Sequence, residues 1–245
     1  PNGVGGGCFF QKHATDGKPD AVDVVQMPES SGALAPYMSV GDVAGLLAMA
    51  QMGALELHVA GVRADEPRKP DRMVLDLDPA PDVPFARVME AARELRRRLQ
   101  AVKLRSFVMT TGGKGLHVVV PLERRRDIAE VSAFAEAMAR SLERDEPRRF
   151  IAKASKAARQ GRIFVDWVRN ARGATAIAPY SPRARPGAPV AVPLAWEELK
   201  AGLKPNGFGF AQVLRRVARR DPWAGYERVR GKLPAARSAA QPARR

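Results

Sequence analysis

The sequence predicts a mixed α/β fold. Strand-like apolar runs at 72–79 and 162–168 are each interrupted by acids, while 84–100 and 127–142 carry apolar residues at helical spacing. A chain of 245 residues can bury a sizeable core, as one large domain or two small ones.

The elements follow in order. Residues 1–7 are Gly-rich turn or loop material. Cys8-Phe9-Phe10-Gln11-Lys12-His13 sets two aromatics beside a Lys and a His. That composition fits a surface that stacks on bases, or a strand with one Phe in the core. Ala21 to Met27 reads as a strand. Gly41 to Met52 reads as a helix with Asp42 near its start, Val43, Leu46, Leu47 and Ala50 on one face, and Gly53 as its stop. Leu55 to Val59 alternates as a half-buried strand with Glu56 and His58 on its polar side. The loop from Gly61 to Pro70 carries Arg63, Arg68 and Lys69.

Arg72 to Pro79 reads as a buried strand ending in Asp76-Leu77-Asp78-Pro79. Side chains alternate along a strand, so Asp76 and Asp78 share a face, with Cα atoms roughly 6–7 Å apart. Like charges so placed repel unless a cation or proton intervenes. The pair fits a divalent-metal site at a strand terminus, or two surface acids at a solvated strand end. Pro84 to Gln100 is an amphipathic helix with Phe85, Val88, Met89, Ala92, Leu95 and Leu99 on one side. Its other side carries Arg87, Arg93, Arg96, Arg97 and Arg98, which suits a solvated face or nucleic acid.

Ser106 to Thr111 and Leu116 to Pro121 read as strands joined by the turn Gly112-Gly113-Lys114-Gly115. Such a turn lets backbone N–H groups approach phosphate, with Lys114 and His117 adding donors, although a plain hairpin with a surface Lys has the same pattern. It is not a Walker loop, because Gly115 rather than Ser or Thr follows Lys114. Asp127 to Leu142 is a second amphipathic helix, and Phe150 to Gln160 reads as a basic helix bearing Lys153, Lys156 and Arg159. In the run from Arg162 to Val168, Asp166 is costly to bury unless paired or metal-bound. It is the candidate third carboxylate, with a salt bridge to Arg162 or Arg169 as the alternative. Residues 169–175 and 180–187 are basic loops, Ala195 to Gly202 a short helix and Phe210 to Arg220 another. From about Gly231 no periodicity remains, and 231–245 reads as a disordered tail or linker after a domain over 1–230.

Lys and Arg number 41 against 26 Asp and Glu, a net charge of +15, which favours a polyanionic partner, nucleic acid or an anionic membrane surface. No apolar run reaches ~18 residues, so no spanning helix is expected. The one cysteine, Cys8, excludes an internal disulfide and fits a reducing cytoplasm. The chain opens on Pro1 without an initiator Met, as a piece of a longer protein would. Three carboxylates, a Gly-Lys turn with a His and a basic exterior together imply phosphoryl chemistry on nucleic acid. Oxygen ligands without a Cys or His cluster suit magnesium or manganese rather than zinc.

The chain resembles the polymerase domain of bacterial ligase D, in the archaeo-eukaryotic primase superfamily. The resemblance is carried, in the family's order, by residues 9–13, 55–58, 71–79, 110–118, 161–166 and 178–187, spanning Phe9 to Tyr226. It implies a primase-polymerase fold with two sheets around a catalytic cleft and an RRM-like catalytic half. The implied activity is DNA-dependent nucleotidyl transfer at gaps or double-strand breaks during non-homologous end joining, with ribonucleotides preferred and two manganese or magnesium ions. The family pattern makes Asp76, Asp78 and Asp166 the metal ligands and assigns His58, Thr111, Lys114, His117 and Arg183 to the incoming nucleotide. Phe9, Phe10, Lys12, Arg159 and Arg169 fall to template DNA or its surroundings. Implied partners are broken or gapped DNA with a 5′-phosphate, NTP or dNTP, Ku and a ligase domain or separate ligase. No membrane is involved, and the location is the bacterial cytoplasm, at the nucleoid. Two departures stand out: family members carry an N-terminal segment with 5′-phosphate-binding lysines that this sequence lacks, so end recognition is in doubt for this chain. Thr111 stands where Ser is usual, retaining the hydroxyl. Two rivals remain at this point. An inactive primase-like DNA-binding module would not need all three acids. A haloacid-dehalogenase-type phosphatase also uses Asp-x-Asp after an apolar strand, but there Thr or Val usually follows the second Asp by two; here Pro79-Ala80 follows.

Overall fold

A computed structural model of the chain describes residues 7–155, 157–219 and 221–239. Residues 1–6 of the expected opening loop, Lys156 and Arg220 of two expected helices, and 240–245 of the expected tail lie outside the described residues. The elements are β1 (Asp23–Pro28), β2 (Leu34–Ser39), α1 (Val43–Gln51), β3 (His58–Val59), β4 (Arg72–Pro79), α2 (Phe85–Ala101), β5 (Phe107–Thr110), β6 (Leu116–Pro121) and α3 (Ile128–Asp145). There follow β7 (Phe150–Ile151), β8 (Ile163–Asp166), β9 (Ala176–Ile177), β10 (Pro193–Leu194), α4 (Phe210–Val217) and α5 (Ala236–Ala239). No helix among the described residues is long and apolar enough to cross a membrane.

The central sheet has the order β10-β5-β6-β4-β8-β7 and is antiparallel except where β7 runs parallel to β8. Within it, β4-α2-β5-β6-α3-β8 is a split βαββαβ unit in the spatial order β5-β6-β4-β8, the RRM-like arrangement. Beside it, among the described residues, stand two smaller two-stranded sheets, β1-β2 and β3-β9. Alternation along β4 decides what faces where. Met73, Leu75 and Leu77 are fully buried with Val88, Leu95 and Leu99 of α2 and Val131, Phe134, Met138 and Leu142 of α3. Each such side chain contributes about 1.5–3 kcal/mol when removed from water. Val74, Asp76 and Asp78 therefore face the other way. There a smaller cluster of Val74, Phe107, Met109, Val119 and Trp223 packs under Ala176 and Ile177 of β9.

The two long helices start where their residues indicate. At α3, Asp127 and Glu130 form a capping box, each carboxylate accepting from the other's backbone N–H at 2.8 and 3.0 Å. The basic face of α2 lies behind the sheet, away from Asp76, and is largely occupied within the protein. Arg93 donates to the carbonyl of Leu199, the Arg96 guanidinium sits 4.8 Å from the Trp196 ring centroid, and Arg97 and Arg98 pair with Glu94. Arg98 is buried, also reaching Asp145 at 2.8 Å and Ser141 Oγ at 3.1 Å, which ties α2 to α3.

Five local expectations differ. The strand expected over Leu55 to Val59 is formed only at His58–Val59, with Leu55 to Leu57 in an irregular segment before it. α1 is capped by Asp42, but Gly45 and Ala48 face inward while Val43, Leu46 and Leu47 are exposed. A Cβ at Gly45 would meet the Ala21 carbonyl at 2.9 Å, so only the small-residue face fits so close to the chain beneath. Among the described residues of 150–160 there is no continuous helix: Phe150 and Ile151 pair with β8, and Ala157–Arg159 makes a 3-10 turn. The run lacks an apolar helical face, and ladder pairing at the sheet edge overrides helix propensity. The helix expected over 195–202 is a 3-10 turn, Trp196–Glu198. Residues 231–239 are not loose: Gly231 bridges Leu122, Leu233 is buried, and α5 packs on α3. Small and apolar residues spaced along an extended stretch fill a groove without any periodicity to announce it.

A polar knot fastens the segment before β1. Glu29 accepts from Tyr37 Oη at 2.6 Å, lies 2.9 Å from His13 Nε2 and pairs with Lys12 Nζ at 3.1 Å. Tyr37, His13 and Lys12, in that order, hold the Glu29 carboxyl down at about 2, against an ordinary 4.5. The stabilisation this confers is complete above about 4.5 and is lost as pH falls through 2. Thermal unfolding of wild type and Glu29→Gln should show a Tm gap at neutral pH that closes across that window. A gap constant with pH would contradict the linkage.

Candidate active site

One row of residues crosses the open face of the central sheet. In register, Asp166 of β8 lies beside Asp76 of β4, which lies beside His117 of β6, which lies beside Met109 of β5. Cα atoms so paired are about 4.5–5.5 Å apart. Asp78, two residues along β4, shares the face and sits opposite Phe164. The three sequence-predicted acids thus meet at one end of β4, where β8 ends and the β5–β6 hairpin turns.

Each acid is engaged by basic groups. Asp76 is buried, 3.6 Å from His117 Nε2 and 3.6 Å from Arg169 Nε. Asp166 lies 3.0 Å from Arg169 Nε and caps its own turn by accepting from the Val168 N–H at 3.0 Å. The Arg169 Nε–H makes no hydrogen bond, so that contact is charge attraction without bond geometry. Asp78 accepts from Arg159 Nη1 at 2.6 Å and pairs with Lys114 Nζ at 3.0 Å. Lys114 also donates to the Pro79 carbonyl at 2.7 Å, and Arg159 stacks 4.2 Å from the centre of the Phe164 ring.

The acids separate electrostatically. Burial pushes Asp76 up, yet His117, Arg169 and Arg183 outweigh it and leave its carboxyl below the usual range. Asp166 is raised, by burial first and by the charges of Asp76 and Asp78, against Arg169 and the Val168 N–H. Asp166 thus feels the other two acids, a repulsion that a bound cation would relieve. Among the described residues no three His, Cys, Asp or Glu side chains form a closed metal cage, because Asp78 is drawn toward Lys114 and Arg159. The donor set, three carboxylates from adjacent strands, fits a hard divalent cation once those two cations turn aside.

The hairpin turn is built for close approach. Thr111 Oγ1 accepts from the Gly113 N–H and donates to the Gly115 carbonyl, both at 3.3 Å. Gly112 has φ +64, and a Cβ there would strike Arg183 Cγ and the backbone at Val190 and Ala191. Arg183 Nη1 donates to the Thr111 carbonyl at 2.5 Å. His58 Nε2 lies 2.8 Å from Glu56, and Phe10 meets the His58 ring edge-on with centroids 5.7 Å apart. Phe9 and Phe10 are 70% and 61% exposed, so both rings are free to stack on something external. Lys12 stands apart from this group, on Glu29 and over the Tyr37 ring. A cavity of about 190 Å³ under the β3–β9 ribbon touches the site at His117 and Arg169, and none of the three acids lines it.

Two residues that sequence reasoning gave no role to help shape the site. Asn170 is buried. It accepts from the Val74 N–H at 2.8 Å and donates to the Val74 and Trp167 carbonyls at 2.7 and 2.8 Å. It thereby continues the β4 edge past the end of β8 and fixes the turn carrying Arg169. Nothing local signals a partner so far away in sequence. Glu56 had a signal, its place two residues before His58 on one strand face.

A protein-family model described as LigD, primase-polymerase domain, matches residues 1–223. The multifunctional non-homologous end joining protein LigD of Pseudomonas aeruginosa is 41% identical over 240 residues, covering 96% of this chain and 28% of that protein. The corresponding DNA repair protein of Mycobacterium tuberculosis H37Rv is 34% identical over 227 residues, covering 89% of this chain and 30% of its own length. The chain thus spans about a third or less of these relatives. Among solved structures, the polymerase domain from Mycobacterium tuberculosis ligase D in complex with DNA superposes with a TM-score of 0.82 at 34% identity, covering 89% of this chain and 78% of that one.

Proposed function

The chain belongs to the LigD primase-polymerase domain family, and from that premise we propose that it is a nucleotidyltransferase extending DNA 3′-hydroxyl ends at gaps or double-strand breaks during end joining. The observation that carries this reading is the register of Asp166 beside Asp76, with Asp78 on the same face and Lys114 and His117 adjacent. The reaction forms a bond from the 3′-oxygen to the α-phosphorus of a nucleoside triphosphate and expels pyrophosphate. Asp76, Asp78 and Asp166 would hold two manganese or magnesium ions, which supply charge neutralisation and a more acidic 3′-hydroxyl.

The remaining work falls to the protein's own groups. Lys114 and Arg183, with His117 and the N–H groups of the turn, bind the triphosphate oxygens from one side. Arg159, turning from Asp78, takes a template phosphate. Phe9 and Phe10 stack on bases near the break. Arg169 holds Asp166 and Asp76 together until a stronger cation arrives. The site prefers ribonucleotides, and Ku and a ligase domain are the partners, in the bacterial cytoplasm at the nucleoid. The phosphatase alternative falls with the family assignment.

Primer extension on gapped, 5′-phosphorylated DNA with manganese and either NTP or dNTP tests this. Extension is expected, faster with NTP, with DNA affinity falling steeply as salt rises because phosphate counterions are released. Salt-dependent DNA binding with no nucleotide added would instead mark an inactive binding module.

A further inference from the structure

We propose that Glu56 is a positioning residue for the nucleotide site, one carboxylate that sets both His58 and Arg183. The inference rests on the polymerase reading and gives a task to a residue that reading leaves unused.

The geometry converges on this carboxylate from three chain segments. Oε2 lies 2.8 Å from His58 Nε2. Oε1 accepts from the Ala184 N–H at 2.9 Å and lies 3.1 Å from Arg183 Nε, whose N–H points off that oxygen. One residue further along, the Leu57 N–H donates to Ser181 Oγ at 2.8 Å, and the Ala178 N–H donates to the Leu57 carbonyl at 2.8 Å. The irregular segment that carries Glu56 into β3 and the loop carrying Arg183 are thus stitched together with the carboxylate at the seam.

Two consequences follow from the chemistry of the groups. An ionised carboxylate can only accept, so His58 must donate from Nε2, which fixes its tautomer. Burial pulls His58 below its ordinary value despite Glu56, and leaves the ring neutral near pH 7. Burial also pushes Glu56 up, but the bonds from His58 and the Ala184 N–H and the nearby Arg183 charge outweigh it and hold the carboxyl below its usual range. Arg183 is held at both ends, by Glu56 and by the Thr111 carbonyl of the phosphate-facing turn. Gly112 packs against its Cγ, so the guanidinium has little room to wander. Removing the Glu56 charge frees both side chains at once.

The test compares Glu56→Gln and Glu56→Ala with wild type on gapped DNA, reading nucleotide KM and kcat separately. Binding of a fluorescent ribonucleotide triphosphate without turnover is read in parallel. Glutamine fills the same space but offers one acceptor where two donors converge. Glu56→Gln should raise KM and the binding constant about tenfold, as loss of an orienting carboxylate does elsewhere, with a smaller change in kcat. In a background carrying both Arg183→Ala and His58→Ala it should add less than about twofold, because the groups it acts through are gone. An unchanged KM in the single variant, or an effect that multiplies fully in that background, overturns the proposal. If wild type binds nucleotide in a Glu56-dependent way but adds none, the proposal stands and the polymerase reading falls. If wild type binds no nucleotide, both fall.

Discussion

Asp76→Ala is expected to abolish nucleotide addition while leaving DNA affinity within about twofold of wild type. The reason is position. Asp76 is the middle of the row, beside Asp166 on one side and His117 on the other, and it is buried. Its loss leaves Asp78 and Asp166 without the carboxylate between them, and leaves Arg169 with one acid instead of two. Removing a group that organises transition-state charge in a water-poor site costs roughly 3–4 kcal/mol or more, a rate loss of about 150- to 1,000-fold or greater. The aromatic pair Phe9 and Phe10 and the basic surface are untouched, so DNA binding is retained. Single-turnover extension beside a DNA-binding titration reads both. Residual extension within tenfold of wild type would remove Asp76 from the mechanism.

Gly115→Ala unfolds the site from within. A Cβ at Gly115 would sit inside contact distance of the Leu77 carbonyl oxygen and 3.5 Å from Asp76 Oδ1. The obstacle is backbone, which cannot rotate away as a side chain can. β4 and β6 must part next to Asp76, at a cost of about 2–3 kcal/mol and thus roughly 5–10 °C in Tm. Activity falls further than stability does, because the displaced strands carry Asp76 and His117. Gly41→Ala is the control, with only an ordinary 3.8 Å contact to Asp23. Calorimetry on both variants checks the prediction; equal Tm values would contradict the close approach at Gly115.

What the sequence made legible was local. The β4 strand, the α2 and α3 helices and the β5–β6 hairpin announce themselves by periodicity, capping residues and glycines. The sharing of a face by Asp76 and Asp78 follows from strand alternation alone. Asp166 is legible as the candidate third carboxylate because an acid inside an apolar run is costly to bury, and the sheet register places it beside Asp76. What stayed hidden depends on partners distant in sequence. Asn170 acts on Val74, and Glu56 acts on Ala184. α1 turns its small-residue face inward, against its apolar pattern, because the close approach at Gly45 outranks its larger apolar side chains. The packing of 231–239 has no periodicity to read, and the basic run 150–160 yields to ladder pairing at the sheet edge.

The proposed mechanism requires that Asp76, Asp78 and Asp166 hold divalent cations once Lys114, Arg159 and Arg169 give way. Manganese binding followed by electron paramagnetic resonance, with gapped DNA and a non-hydrolysable nucleotide present, measures that step directly. Wild type should bind two ions, and Asp76→Ala and Asp166→Ala should each lose at least one. Undiminished manganese binding in both variants would contradict the assignment of these carboxylates as the metal site.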